Sequence, residues 1–66
     1  MPGSRLITLL NGTFKATPVK KLKSGKYAYR LEVRKITGWR KITGIWRILG
    51  TRKTYGGVEY TFQKEK

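Results

Sequence analysis

Residues 34–46 read RKITGWRKITGIW, from Arg34 to Trp46, and contain the pentapeptide RKITG twice, six residues apart. How the two copies face each other decides the fold. If Thr37-Gly38 is a two-residue turn with Ile36 opposite Trp39, the chain before it pairs with the chain after it. The preceding segment, KYAYRLEVRKI over 26–36, alternates strictly. Tyr27, Tyr29, Leu31 and Val33 leave one side of such a strand, and Ala28, Arg30, Glu32 and Arg34 leave the other. The turn then sets Val33 opposite Ile42, Leu31 opposite Gly44, Tyr29 opposite Trp46 and Tyr27 opposite Ile48. A slip of one residue would oppose Leu31 to Thr43 and Tyr27 to Arg47, mixing the two faces. The repeat is therefore the tip of a basic hairpin in which identical letters have different fates. Ile36 and Trp39 face outward, whereas Ile42 and Trp46 pack inward. Gly44 marks either a bulge or the close approach of a side chain from a facing strand.

The rest of the chain carries the same signature. β-branched and aromatic residues recur between glycines, and no window has apolar residues at helical spacing behind a cap. Asn11-Gly12 predicts a first hairpin with Leu9 opposite Phe14, Ile7 opposite Ala16 and Thr8 opposite Lys15. Pro18 donates nothing to a ladder, so the second strand ends there or runs along an edge. Tyr55-Gly56-Gly57 as a three-residue loop sets Val58 opposite Thr54 and Glu59 opposite Lys53, and keeps Val58, Tyr60 and Phe62 on the face of Trp46 and Ile48. The expected strands span roughly 4–10, 13–19, 26–36, 39–54 and 58–63, the fourth bent near Gly44 or Gly50. They predict one all-β domain over 1–66, with 1–3 and 64–66 frayed. Its architecture is a five-stranded antiparallel meander forming a small, partly open barrel, SH3-like or OB-like. The inward set is Ile7, Leu9, Phe14, Tyr27, Tyr29, Leu31, Val33, Ile42, Trp46, Ile48, Val58, Tyr60 and Phe62.

Composition bounds the function. Sixteen Lys and Arg stand against Glu32, Glu59 and Glu65, a formal charge of +13 in 66 residues. So large an excess opposes compaction and calls for a polyanionic partner. A chain of this length buries only about 60% of its unfolded surface, leaving a thin core. With no Cys, His or Asp, disulfides, zinc sites, metal or cofactor chemistry and nucleophilic triads have no residues to work with. Glu32 and Glu59 sit among cations, which suits ion pairing better than acid catalysis. A non-enzymatic binding protein is expected. No apolar run approaches a membrane span, and ITLL is too short for a signal sequence, so a cytoplasmic location is expected.

The outward face of the third and fourth strands supplies the candidate site. Arg30, Glu32, Arg34 and Ile36 lie opposite Ile45, Thr43, Lys41 and Trp39, with Arg47 beside Ala28. Solvated faces do not display Ile36, Trp39 and Ile45, and buried faces do not carry Arg30, Arg34, Lys41 and Arg47. A nucleic acid satisfies both halves, because cations neutralise phosphates while aromatics stack on bases or wedge between them. Lys20, Lys21 and Lys23, in the basic connection VKKLKSGK, add phosphate contacts. In size, charge, lack of cysteine and all-β pattern, with this Arg/Lys face around Trp39, Ile36 and Ile45, the chain resembles the small basic chromatin proteins of crenarchaea. That resemblance implies a monomer that coats DNA with little sequence preference, nucleoid-associated. The lack of Cys, His and Asp, with one Asn, one Gln and one Met, is similar to thermophile composition. The chain is also similar to small β-barrel ribosomal and RNA-chaperone proteins, so RNA is the competing ligand. A different class, a module docking an acidic protein or anionic surface, rests on the same charge.

Overall fold

The computed structural model describes residues 5–65. Five antiparallel strands, β1 (Leu6–Leu10), β2 (Phe14–Lys21), β3 (Tyr27–Lys35), β4 (Gly38–Thr54) and β5 (Gly57–Lys64), form one sheet. Their order is β1-β5-β4-β3-β2. The all-β, five-stranded expectation holds, and the sheet curls into a small barrel left open between β1 and β2. Of the ends expected to fray, residues 1–3 and 66 lie outside the described residues. Lys64 ends β5 opposite Trp46, and the Glu65 amide donates to the Ile45 carbonyl at 2.7 Å.

The first hairpin is the main correction to the topology. β1 pairs with β5 and β2 with β3, so Leu9 faces Tyr60 rather than Phe14, and Ile7 faces Phe62 rather than Ala16. The turn itself forms, with the Thr13 amide donating to the Leu10 carbonyl at 3.0 Å. Gly12 has φ +96° while Asn11 keeps a negative φ. That is the sign pattern of a type II turn, whose twist splays the flanking strands instead of pairing them. β1 and β2 consequently become the two edges of the sheet. The edges of a flat five-stranded sheet would stand about 19 Å apart, four strand spacings of ~4.8 Å. The four-residue step from Leu10 to Phe14 reaches at most about 14 Å, so the edges must converge at this end. Phe14 bridges the gap, its ring edge-on to Tyr60 at 5.3 Å and to Phe62 at 5.4 Å across the seam.

Leu31, Trp46 and Phe62 are fully buried at the centre, with Ile7, Leu9, Phe14, Ala16, Tyr29, Ile42, Ile48 and Tyr60 packed around them. Tyr27, expected inward, is exposed. Val33 and Val58 are half-buried outside this cluster, and Ala16 joins it.

The β3–β4 and β4–β5 turns each close one residue earlier than expected. Ile36-Thr37 forms the β3–β4 turn, with Lys35 opposite Gly38, and Tyr55-Gly56 forms the β4–β5 turn, with Thr54 opposite Gly57. Primed two-residue turns need positive φ inside the loop, which Ile36 and Thr37 do not adopt. The glycine just after each turn takes it instead, Gly38 and Gly57 both at φ +131°. Near the tip the β3–β4 register is thus displaced by two, with Arg34 opposite Trp39, Glu32 opposite Lys41 and Leu31 opposite Ile42. A displacement of two keeps every side chain on its expected face. The expected register returns at Tyr29 opposite Trp46 because Thr43, Gly44 and Ile45 on β4 span the width of Arg30 alone on β3.

Gly44 combines both roles open to it: φ is +108° in this bulge, and a Cβ there would stand 2.7 Å from Cε of Lys64. The Trp46 indole Nε1 donates to the bulge carbonyl of Thr43 at 3.3 Å. On the other side of β4, Leu49 is the extra residue between the pairs Ile48–Phe62 and Gly50–Thr61. This second bulge is what lets a two-residue loop keep Val58, Tyr60 and Phe62 on the core side.

Candidate nucleic-acid interface

Three strands build the outward surface. β2 contributes Lys15, Thr17 and Lys20; β3 contributes Glu32, Arg30 and Ala28 opposite them; β4 contributes Lys41 opposite Glu32 and Arg47 opposite Ala28. One rung therefore reads Lys15–Glu32–Lys41, and beside it Arg34 faces Trp39. The Lys15 ammonium lies 4.4 Å from the Trp39 ring centroid, a cation–π contact joining β2 to β4 across β3. Trp39 remains 42% exposed, so one face of its ring is met by a cation while part of the rest is open to solvent.

The expected residues fall into four groups. Arg30, Arg34, Trp39 and Lys41 share this surface and are exposed. Ile36 is not opposite Trp39 but at the apex of the β3–β4 turn, fully exposed, because the turn closes one residue early. Lys20 joins the outward surface, Lys21 lies opposite Tyr27, and Lys23 sits in the tight β2–β3 turn, where the Leu22 amide donates to the Lys26 carbonyl at 2.7 Å. Ile45 and Arg47 stand apart. The Gly44 bulge removes Ile45 from its expected place opposite Arg30, leaving it half-buried. Arg47 is engaged within the fold, its Nε 3.0 Å from Glu65 and its Nη2 donating to Gln63 Oε1. Ala28 beside it is fully buried and is paired with Lys20 on one side and Arg47 on the other, residues whose long stems can shield apolar groups.

Lys15 was missed as a site residue, although its phase in β2 already pointed it outward. The partner assumed for it was Thr8, so its proximity to Trp39 could not be inferred until β2 moved beside β3. Arg40 and Lys35 were likewise passed over because they leave the opposite side of the hairpin.

The charges are distributed unevenly. Two ion pairs occur among the described residues, Arg47–Glu65 at 3.0 Å and Arg52–Glu59 at 2.9 Å, both on the β4–β5 side. Two of the three acids are thereby occupied away from the Trp39 surface, where Glu32 stands alone among Lys15, Arg30, Arg34 and Lys41. A cleft of about 380 Å³, bordered by Tyr27, Tyr29, Leu49 and Lys26, opens toward the other end of β3. No group of His, Cys, Asp or Glu suited to a metal ion occurs among the described residues, and no helix is long and apolar enough to cross a membrane.

Fold and surface together define a class: a small, strongly basic, open β-barrel with one cationic-aromatic side. Comparison with protein-family models, curated proteins and solved structures found no match, so function is argued from this surface alone.

Proposed function

We propose that the protein is a non-catalytic, sequence-tolerant nucleic-acid-binding protein, chromatin-like in its action, with DNA the favoured ligand and RNA its nearest competitor. One observation carries the reading. A half-exposed tryptophan sits among Lys15, Arg34 and Lys41 over β2, β3 and the start of β4, whereas the two described ion pairs lie along β4 and β5. Cations placed in this way release counterions from a phosphate backbone, an affinity independent of sequence. An aromatic among them adds stacking or a wedge at a base step. Arg30 and Lys20 extend the same footprint, whereas Lys21 leaves the other side of β2 opposite Tyr27 and Arg47, engaged within the fold, contributes less.

Tryptophan fluorescence tests the reading directly, because Trp46 is fully buried and Trp39 is not. Duplex DNA, single-stranded DNA, RNA and an acidic polypeptide are titrated in turn. Nucleic acid is expected to change the Trp39 emission, and Trp39→Ala to abolish the signal. Tight binding of the acidic polypeptide, with no spectral change from any nucleic acid, would establish instead a module for acidic proteins.

A further inference from the structure

The outward surface is only one side of the β3–β4 hairpin, and the other side is cationic too. Past Val33 the hairpin leaves the body of the barrel. The last β2–β3 pair is Phe14–Val33, and the last bond from that direction runs from the Arg34 amide to the Thr13 carbonyl at 2.9 Å. On the β4 side, support ends where the Glu65 amide meets the Ile45 carbonyl. Every residue from Arg34 to Lys41 is exposed. Arg34, Trp39 and Lys41 leave one face of this ribbon. Lys35 and Arg40 leave the other, Arg40 opposite Val33 and beside Arg5 in a cleft of about 310 Å³.

A surface that merely lies across a duplex needs cations on one side. A ribbon with cations on both sides matches a site walled by phosphates on both sides, which is a groove. The geometry points to insertion of the 34–41 ribbon into the major groove of double-stranded B-form DNA, an inference that rests on the nucleic-acid reading above.

The dimensions agree. Beyond Val33, the last residue paired with β2, three steps of ~3.4 Å carry the ribbon about 10 Å to Ile36. The B-DNA major groove is about 8.5 Å deep and 12 Å wide, and admits a two-stranded ribbon. The minor groove, about 6 Å wide, does not. A-form RNA has a deep, narrow major groove closed to such an element, so the ribbon selects duplex DNA over duplex RNA. At the apex, Ile36 and Thr37 would meet the groove floor. Neither side chain makes the bidentate bonds that read a base edge, while their methyl groups can lie against thymine methyls. Arg34, Lys35, Arg40 and Lys41 would reach sideways to the walls. The element would thus gain groove geometry without strong sequence readout.

The test uses the full chain and charge-matched substitutions. Lys35→Glu and Arg40→Glu alter the back of the ribbon; Lys53→Glu, exposed on the β4–β5 hairpin, makes the same charge change elsewhere. Each back-face variant is expected to weaken binding to a mixed-sequence DNA duplex at least about tenfold more than Lys53→Glu at equal salt. Duplex RNA of the same sequence is expected to bind the native chain at least about tenfold more weakly. Dimethyl sulfate footprinting should show protection of guanine N7 in the major groove, with adenine N3 in the minor groove still reactive. Losses equal to that of Lys53→Glu, or protection of adenine N3 alone, would overturn groove insertion while leaving nucleic-acid binding intact. Failure of the native chain to bind any nucleic acid would overturn both.

Discussion

Two tryptophans seven residues apart do different work, and substitution separates them. Trp46 is fully buried, lies opposite Tyr29 and donates its indole hydrogen to the Thr43 carbonyl. Removing such a ring costs about 3–5 kcal/mol, comparable to the whole stability of a domain this small, about 3–10 kcal/mol. Trp46→Ala is therefore expected to be largely unfolded at room temperature, read as loss of a cooperative thermal transition. Trp39 is half-exposed beneath Lys15. Trp39→Ala should leave that transition within a few degrees of the native one and weaken nucleic-acid binding by about 1–3 kcal/mol, if its ring stacks as proposed. Phe14 acts at the same scale for a different reason: its ring spans two strands that share no ladder. Phe14→Ala should cost about 3–5 kcal/mol, and hydrogen exchange should show β1 and β2 losing protection before β3 and β4. Uniform loss across all five strands would show that the seam does not open independently.

The glycines control how the strands connect. Gly56 and Gly57 are adjacent, yet only Gly57 holds a positive φ, at +131°. Gly57→Ala should destabilise by about 1–3 kcal/mol from backbone strain. Gly56→Ala meets no atom within 4 Å and should be neutral or stabilising by up to about 1 kcal/mol, through a less free unfolded chain. Denaturant midpoints of the two variants shifting in opposite directions would check the assignment of the turn. The same pair shows where a sequence is legible. Alternation in 27–35 fixed which residues of β3 face inward, since a period of two survives any even displacement of register. The turns were harder, because Ile36-Thr37 and Tyr55-Gly56 each borrow the following glycine, and nothing local distinguishes that from a turn one residue later. The bulge at Gly44 was one of two roles open to that residue, but its width and the separate bulge at Leu49 were hidden for a related reason: each corrects a phase error that appears only once the neighbouring strand is in place. The RKITG copies make the point most sharply. Both end in a glycine of positive φ, Gly38 at +131° and Gly44 at +108°, but one closes a turn and the other forms a bulge beneath Lys64. Local sequence set the backbone sign, and tertiary pairing set its use. Of the candidate site, the charged face of β3 was legible on the same alternation, while Lys15 and the separation of Ile45 depended on strand order and bulge.

At the scale of the whole molecule, +13 on 66 residues ties stability to ionic strength in two opposing ways. With two ion pairs among the described residues and most cations on a small barrel, like charges repel within about one Debye length, ~10 Å at 0.1 M salt and ~30 Å at 0.01 M. Adding salt screens that repulsion, so the free protein should melt higher at 0.5 M than at 0.01 M. The proposed complex should respond in the opposite sense. A ligand that binds only the folded chain stabilises it by RT ln(1 + [L]/Kd), and for duplex DNA Kd rises with a log–log slope of about 0.9 per phosphate contacted. If Lys15, Lys20, Arg30, Arg34, Lys35, Arg40 and Lys41 each meet a phosphate, the slope should approach about six. Melting curves with and without duplex DNA should therefore converge as salt rises, the free protein climbing while the DNA-dependent increment shrinks. Arg34→Ala and Lys41→Ala should each flatten the slope by about one and weaken binding about equally for different DNA sequences. A slope near one, or losses that depend strongly on sequence, would mean that these cations do not act as phosphate contacts. The excess charge would then serve some partner other than DNA.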